Sequence, residues 1–168
     1  MSDFRIRRPL AESGTLLGIA AVVYLVDRLT KAWVVANIDV GEQIPVVGDF
    51  IQLWHTENEG AAFGLLQGGG LLFVAIGLVT LLAIGWVHVT GRLHGVPAAV
   101  LLGMVLGGTL GNLTDRLIDG SVPDFVSVGI GTLRWPTFNV ADASVVLGIL
   151  GLVLLLSLLD RRAAASAA

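Results

Sequence analysis

The sequence predicts a mainly α-helical membrane protein: four transmembrane helices, a small extracytoplasmic β-sheet and an interfacial segment, in a single membrane-embedded domain over 1–168. Three observations predict it. The chain is 55% hydrophobic and only 14% charged, with a mean hydropathy of +0.85, whereas a soluble domain carries about 25% charged residues. Four apolar runs, 14–35, 71–89, 98–117 and 138–159, are each long enough to cross a hydrocarbon core of about 30 Å. With four spans both termini share one side, and Arg5, Arg7, Arg8, Arg92, Arg161 and Arg162 then share it too. By the positive-inside rule that side is the cytoplasm.

Composition also excludes function classes. There is no cysteine, hence no disulfide framework, thiol nucleophile or thiolate metal site. His55, His88 and His94 stand in no metal-ligand spacing, and nothing resembles His-Glu-x-x-His. The reading therefore includes no metal and no cofactor. A net charge of −3 with scattered basic residues gives no footprint for nucleic acid.

The first run follows an Arg-containing leader, as a signal peptide would, but it exceeds an h-region of about 7–15 residues and no clean small-residue cleavage pattern follows. It is read as a retained first helix. Residues 37–67 carry Asp39, Glu42, Asp49, Glu57 and Glu59 with no Lys or Arg, and form an acidic extracytoplasmic segment. Within it, 44–54 is rich in β-branched and aromatic residues around Gly48-Asp49, the pattern of two short strands and a turn lying on the membrane. Residues 63–66, followed by Gly68-Gly69-Gly70, are apolar enough to dip into the interface, and the acidic segment 37–67, with that glycine run after it, is a candidate lid.

The second run ends at the break 90–97. The third carries Gly103, Gly107, Gly108 and Gly111 near four-residue spacing, so one of its faces can approach a neighbour closely. Residues 118–136 form the second extracytoplasmic connector. The fourth run is closed by Asp160-Arg161-Arg162, with a frayed tail over 163–168.

This topology fixes the depth of each polar residue. Asp27, Arg28, Thr30 and Lys31 fall in the outer half of the first helix, Asn112, Thr114, Asp115 and Arg116 at the outer end of the third, and Asn139 and Asp142 at the outer start of the fourth. A charge in hydrocarbon costs about 2.5–3.5 kcal/mol or more, so such residues pair or serve a function. Lys31 and Arg28 are open to a bland reading, snorkelling to headgroups. Asp27–Lys31 and Asp115–Arg116 read first as structural pairs. Asp142 has no cation within helical reach, and Asp124, in the connector just before it, also lacks a local partner. Those two acids are the candidates for chemistry.

Five blocks then resemble one family in its own order: Asp27-Arg28-Leu29-Thr30-Lys31; Asn58-Glu59-Gly60-Ala61-Ala62-Phe63; 107–116, ending Asn112-Leu113-Thr114-Asp115-Arg116; Val122-Pro123-Asp124-Phe125; and Phe138-Asn139-Val140-Ala141-Asp142. On these the chain resembles the bacterial lipoprotein signal peptidases (signal peptidase II). One departure is Pro123, where many members carry other residues. The resemblance implies an aspartic endopeptidase of the bacterial inner membrane that cleaves diacylglyceryl-modified prolipoproteins just before the lipidated cysteine. It further implies a catalytic dyad at Asp124 and Asp142, with Asp27, Lys31, Asn58, Gly60, Asn112, Asp115, Arg116 and Asn139 in support. The implied partners are prolipoproteins, membrane lipid and globomycin-type inhibitors.

Rival classes fit less well. A transporter would continue its polar residues to the cytoplasmic face, and these stop at mid-depth. A scaffold built on the glycine face leaves Asp124 and Asp142 without a role. A serine protease would need Gly-x-Ser-x-Gly or Ser-x-x-Lys, and the chain has neither.

Overall fold

The computed structural model describes residues 10–60 and 70–167. The elements run α1 (Leu10–Asn37), β1 (Gln43–Val47), β2 (Ile51–Asn58), α2 (Gly70–Thr90), α3 (Val96–Ile118), β3 (Val122–Ile130), β4 (Leu133–Arg134) and α4 (Val140–Ala167). All four helices are long and apolar enough to cross a membrane. The 28 residues of α1 would span roughly 42 Å at about 1.5 Å per residue, so its ends project beyond the hydrocarbon. The predicted 63–66 interfacial segment and the 61–67 end of the candidate lid, like Arg5, Arg7 and Arg8, lie outside the described residues.

The helix α3 is the centre of the bundle. Its glycines let a neighbour close on each of two faces rather than on the single face expected. A Cβ at Gly107 would stand 2.5 Å from the Ala20 carbonyl oxygen of α1, and one at Gly108 would stand 2.5 Å from the Ala141 oxygen of α4. Leu16, Ile84, Ala99, Leu102 and Val105 fill the dry end of the bundle. In α2, Ile84 is the buried residue; the others are half-buried or exposed.

The extracytoplasmic sheet is larger than the predicted hairpin. It has four strands in the order β1-β2-β3-β4, every neighbouring pair antiparallel. The hairpin β1–β2 turns at Gly48 with φ 51°, as the Gly48-Asp49 signal indicates. The connector 118–136 contains β3 and β4. Val122, Phe125, Val126, Val128 and Ile130 carry the β-branched and aromatic enrichment of a strand. Pro123 and Asp124 interrupt that signal, because proline is depleted from central strands. Phe125 packs with Val34 and Ile38 and so seats the sheet on the end of α1.

The chain then doubles back. The Phe138 carbonyl accepts from the N–H groups of Phe125 (3.1 Å) and Val126 (2.8 Å), so the start of α4 is held beside the start of β3. The fourth helix begins at Val140, two residues later than the apolar run, because Phe138 belongs to this bridge and Asn139 caps the helix. Its far end continues to Ala167, in place of the frayed tail expected; alanine is the strongest helix former and fills most of that stretch.

Candidate active site

Asn139 and Asp142 form a reciprocal cap on α4. The Asp142 N–H donates to Asn139 Oδ1 at 2.9 Å, and the Asn139 N–H donates to Asp142 Oδ2 at 3.1 Å. This is a capping box with a shorter acid at the third helical position. The helix N-terminus, with its partial positive charge, favours an anion there. The same arrangement fixes the Asp142 rotamer and leaves the Asn139 amide free to reach sideways. Its Nδ2 donates to Asp124 Oδ1 at 2.7 Å, so one asparagine touches both acids.

Asp124 is 2% exposed and stands on β3 opposite Thr56 of β2. Its Oδ2 accepts from Asn58 Nδ2 at 2.9 Å, and Asn58 Oδ1 is itself held by the Gly60 N–H at 3.0 Å. Burial first, and then the negative charge of Asp142, push the Asp124 carboxyl up to about 7 from the ordinary 3.8; the amide donors and the charge of Lys31 oppose that rise. Thr56 and Thr137 join hydroxyls at 2.7 Å beside it, a contact between β2 and the approach to α4 that no local sequence pattern announces.

Behind the two acids lies an ion cluster. Lys31 Nζ donates to Asp27 Oδ2 and Asp115 Oδ2, both at 2.7 Å, and to Asn112 Oδ1 at 2.9 Å. Arg28 pairs with the other oxygen of Asp115. Lys31 is 2% exposed, which corrects the snorkelling reading: all three of its protons are used inside the bundle. Arg28, likewise, reaches inward to a carboxylate. Asp27–Lys31 is the structural pair expected, and Asp27 also caps α4, accepting from the Ala141 N–H at 2.8 Å.

The expected Asp115–Arg116 pair is replaced. Adjacent helical residues do not share a face, so Asp115 turns to α1 while Arg116 turns the other way. Arg116 donates to the Asn112 carbonyl at 3.3 Å, lies 5.1 Å over the Phe73 ring and interacts electrostatically with Asp142 and Asp124 ahead of Asp115.

Asp124, Asp142, Asn58, Gly60, Asn112 and Arg116 line one cavity of about 790 Å³. Asn139 reaches both acids from beneath. Asp27, Lys31 and Asp115 stay out of the wall. Away from the acids the wall becomes apolar, formed by Phe73, Ile76 and Gly77 of α2 facing Val145, Val146 and Ile149 of α4. Sequence reasoning misses the α2 share, since an uncharged span carries no mark of which residues face a cavity; Gly77 and Thr80 within the apolar run are the only local signal for it.

Two acids, Asp124 buried and Asp142 half-buried, beside a polar-ended, apolar-walled cavity can hold one proton between them and activate a water. Comparison with known proteins identifies the family. The family described as signal peptidase (SPase) II matches residues 19–159. The chain is 39% identical over 139 residues to the lipoprotein signal peptidase of Syntrophus aciditrophicus, covering 80% of this chain and 86% of that one. It is 44% identical over 148 residues to the lipoprotein signal peptidase of Rhodococcus jostii, covering 83% and 71%. A solved bacterial membrane enzyme superimposes with TM-score 0.78 at 28% identity, covering 85% of this chain and 87% of the other. A second gives TM-score 0.77 at 29% identity, covering 85% and 92%. The chain belongs to the signal peptidase II family.

Proposed function

We propose that this protein removes signal peptides from diacylglyceryl-modified prolipoproteins, cleaving just before the lipidated cysteine, with Asp124 and Asp142 as the catalytic dyad. The observation that carries the reading is the joining of Asp124 on β3 and Asp142 on α4 through the single Asn139 side chain, in a cavity whose other end is apolar.

The dyad works as a coupled pair sharing one proton. The charged carboxylate takes a proton from a water held between the two acids, and the protonated one donates to the scissile carbonyl oxygen. The water attacks the carbonyl carbon, and collapse of the tetrahedral species returns a proton to the leaving amine, so no covalent intermediate forms. Arg116 and the asparagine amides are the donors available to the developing oxyanion, where one well-placed donor is worth roughly 2.7–4 kcal/mol. Asn58, Gly60 and Asn139 hold Asp124 and Asp142; Asp27, Lys31 and Asp115 brace the helices that carry them.

The apolar wall between α2 and α4 suits the diacylglyceryl chains, which stay in lipid while the peptide bond reaches the acids. The ends of the helices away from the sheet carry Arg92, Arg161 and Arg162, which supports a cytoplasmic placement of that end and of both termini in the bacterial inner membrane. The dyad then lies near the extracytoplasmic face. Globomycin-type cyclic peptides are expected to compete for the same cavity.

The test uses purified protein in detergent with a diacylglyceryl-modified prolipoprotein peptide and the same peptide with an unmodified cysteine. Mass spectrometry should find a product beginning at the lipidated cysteine and none from the unmodified peptide. Equal cleavage of both would remove the lipid from the recognition scheme, and cleavage elsewhere would refute the assigned bond.

A further inference from the structure

We propose that Lys31 is a positioning residue for the dyad, acting through Asn112: its ammonium sets the direction of the Asn112 side-chain amide, so that Asn112 presents N–H to Asp142. The proposal rests on the peptidase reading above and assigns Lys31 a part beyond bracing the bundle.

An ammonium has three protons and accepts nothing. Two of those of Lys31 go to Asp27 and Asp115, and the third goes to Asn112 Oδ1 at 2.9 Å. The same Asn112 oxygen accepts from Asn139 Nδ2 at 3.2 Å, while Asn112 Nδ2 donates to Asp142 Oδ1 at 2.7 Å. Rotating the amide by half a turn would set its NH2 against two donors and its oxygen against a carboxylate. All three contacts would become repulsive, so the ammonium and the Asn139 amide together leave one orientation.

The consequence falls on Asp142. With Asn112 on Oδ1 and the Asn139 N–H on Oδ2, each of its oxygens receives a donor. That is the acceptor-only state required of a general base. Without the ammonium, Asn139 alone orients the amide at the longer of the two distances. The charged groups facing Asp142 are Asp124 from β3, Arg116 from α3 and, through Asn112, Lys31 from α1; among the described residues, the stretch of α2 lining the cavity contributes none.

The experiment is steady-state cleavage of the diacylglyceryl peptide across pH. Lys31→Met is combined with Asp27→Asn, so that a cation and an anion leave together and the residue at 27 can still accept from Ala141. Thermal unfolding in detergent checks the fold. The expected result is a kcat lowered roughly 10–100-fold, the range for an outer-shell partner, with KM within about threefold and the low-pH limb of the rate moved up by about one unit. In an Asn112→Ala background the same pair of changes should lower kcat less than about threefold further, since the route is already cut. An unmoved pH profile, or effects that multiply in that background, would overturn the proposal.

Asn112→Asp is the second arm, independent of whether the Lys31 variants fold. It keeps an acceptor for Lys31 but offers no N–H to Asp142, and should lose roughly 100-fold or more in turnover; near wild-type turnover would overturn the proposal. Asp142→Asn runs alongside. Activity retained there would refute the dyad itself, a different failure from that of Lys31.

Discussion

Two clusters of ionisable side chains lie side by side at the sheet end of the bundle, and they differ in how their charge is balanced. Around Lys31, two cations meet two carboxylates, and Arg28, Lys31, Asp27 and Asp115 are all paired. At Asp124 and Asp142, two carboxylates are held mainly by the amides of Asn58, Asn112 and Asn139. The first arrangement cancels charge and ties α1, α3 and α4 together. The second holds more negative charge than Arg116, the cation that faces it, cancels. Asn112 belongs to both, its oxygen to one and its nitrogen to the other. Asp27, Asp115 and Asp124 are all buried, so burial alone does not separate the clusters; the balance of cations against amide donors does.

The sharpest way to break the comparison is to unbalance the braced cluster. Asp27→Ala removes one anion from beside Lys31 and the cap on Ala141, and breaking a buried pair costs about 3–5 kcal/mol. Thermal unfolding in detergent should show that loss, and an Asp27→Ala protein as stable as wild type would contradict the structural role. Asp124→Asn and Asp142→Asn should be far milder on the same measure.

Gly108→Ala comes next. The added methyl would meet the Ala141 carbonyl at 2.5 Å, a backbone atom that moves only with α4. Overpacking of this kind costs roughly 1–3 kcal/mol, and activity should fall with it because Asn139 and Asp142 ride on the same helix end. Gly85→Ala, with nothing within 4 Å of the new atom, is the matched control and should leave both unfolding and turnover unchanged.

The smallest effect is read from pH. Asp124 is pushed up to about 7, so the singly protonated dyad persists to near neutrality. As pH rises through about 7, Asp124 loses that proton, both acids become charged and the donor to the scissile carbonyl disappears. Turnover should then decline by about tenfold per unit at higher pH. A rate flat up to about two units above that value would show that the shared proton is not required.

The pair proposed as the dyad is legible in the sequence and the braced one is obscured, for a physical reason. Asp142 stands out because an acid opening an apolar run is costly, and Asp124 because it sits just outside the same run without a cation. The partners of Lys31 are different in kind. Asp27 shares its helix, but Asp115 and Asn112 lie 84 and 81 residues away, beyond any periodicity argument. The Asp115–Arg116 expectation fails because neighbours in sequence point about 100° apart on a helix. Strand β3 escapes notice where Pro123 breaks its β-branched run, although that strand is what carries Asp124 to Asn139. The four spans, by contrast, follow from apolar length alone, and the start of α4 shifts where a cap and a strand bridge intervene.

On the proposed mechanism Asp124 and Asp142 act together on one bond. The most direct test is cleavage of the diacylglyceryl peptide by wild type, Asp124→Asn and Asp142→Asn, each checked for folding in the same detergent. Both variants should remain folded and lose at least about 10³-fold in kcat, as expected when either member of an acid–base unit is removed. A folded variant that keeps wild-type turnover would contradict the dyad.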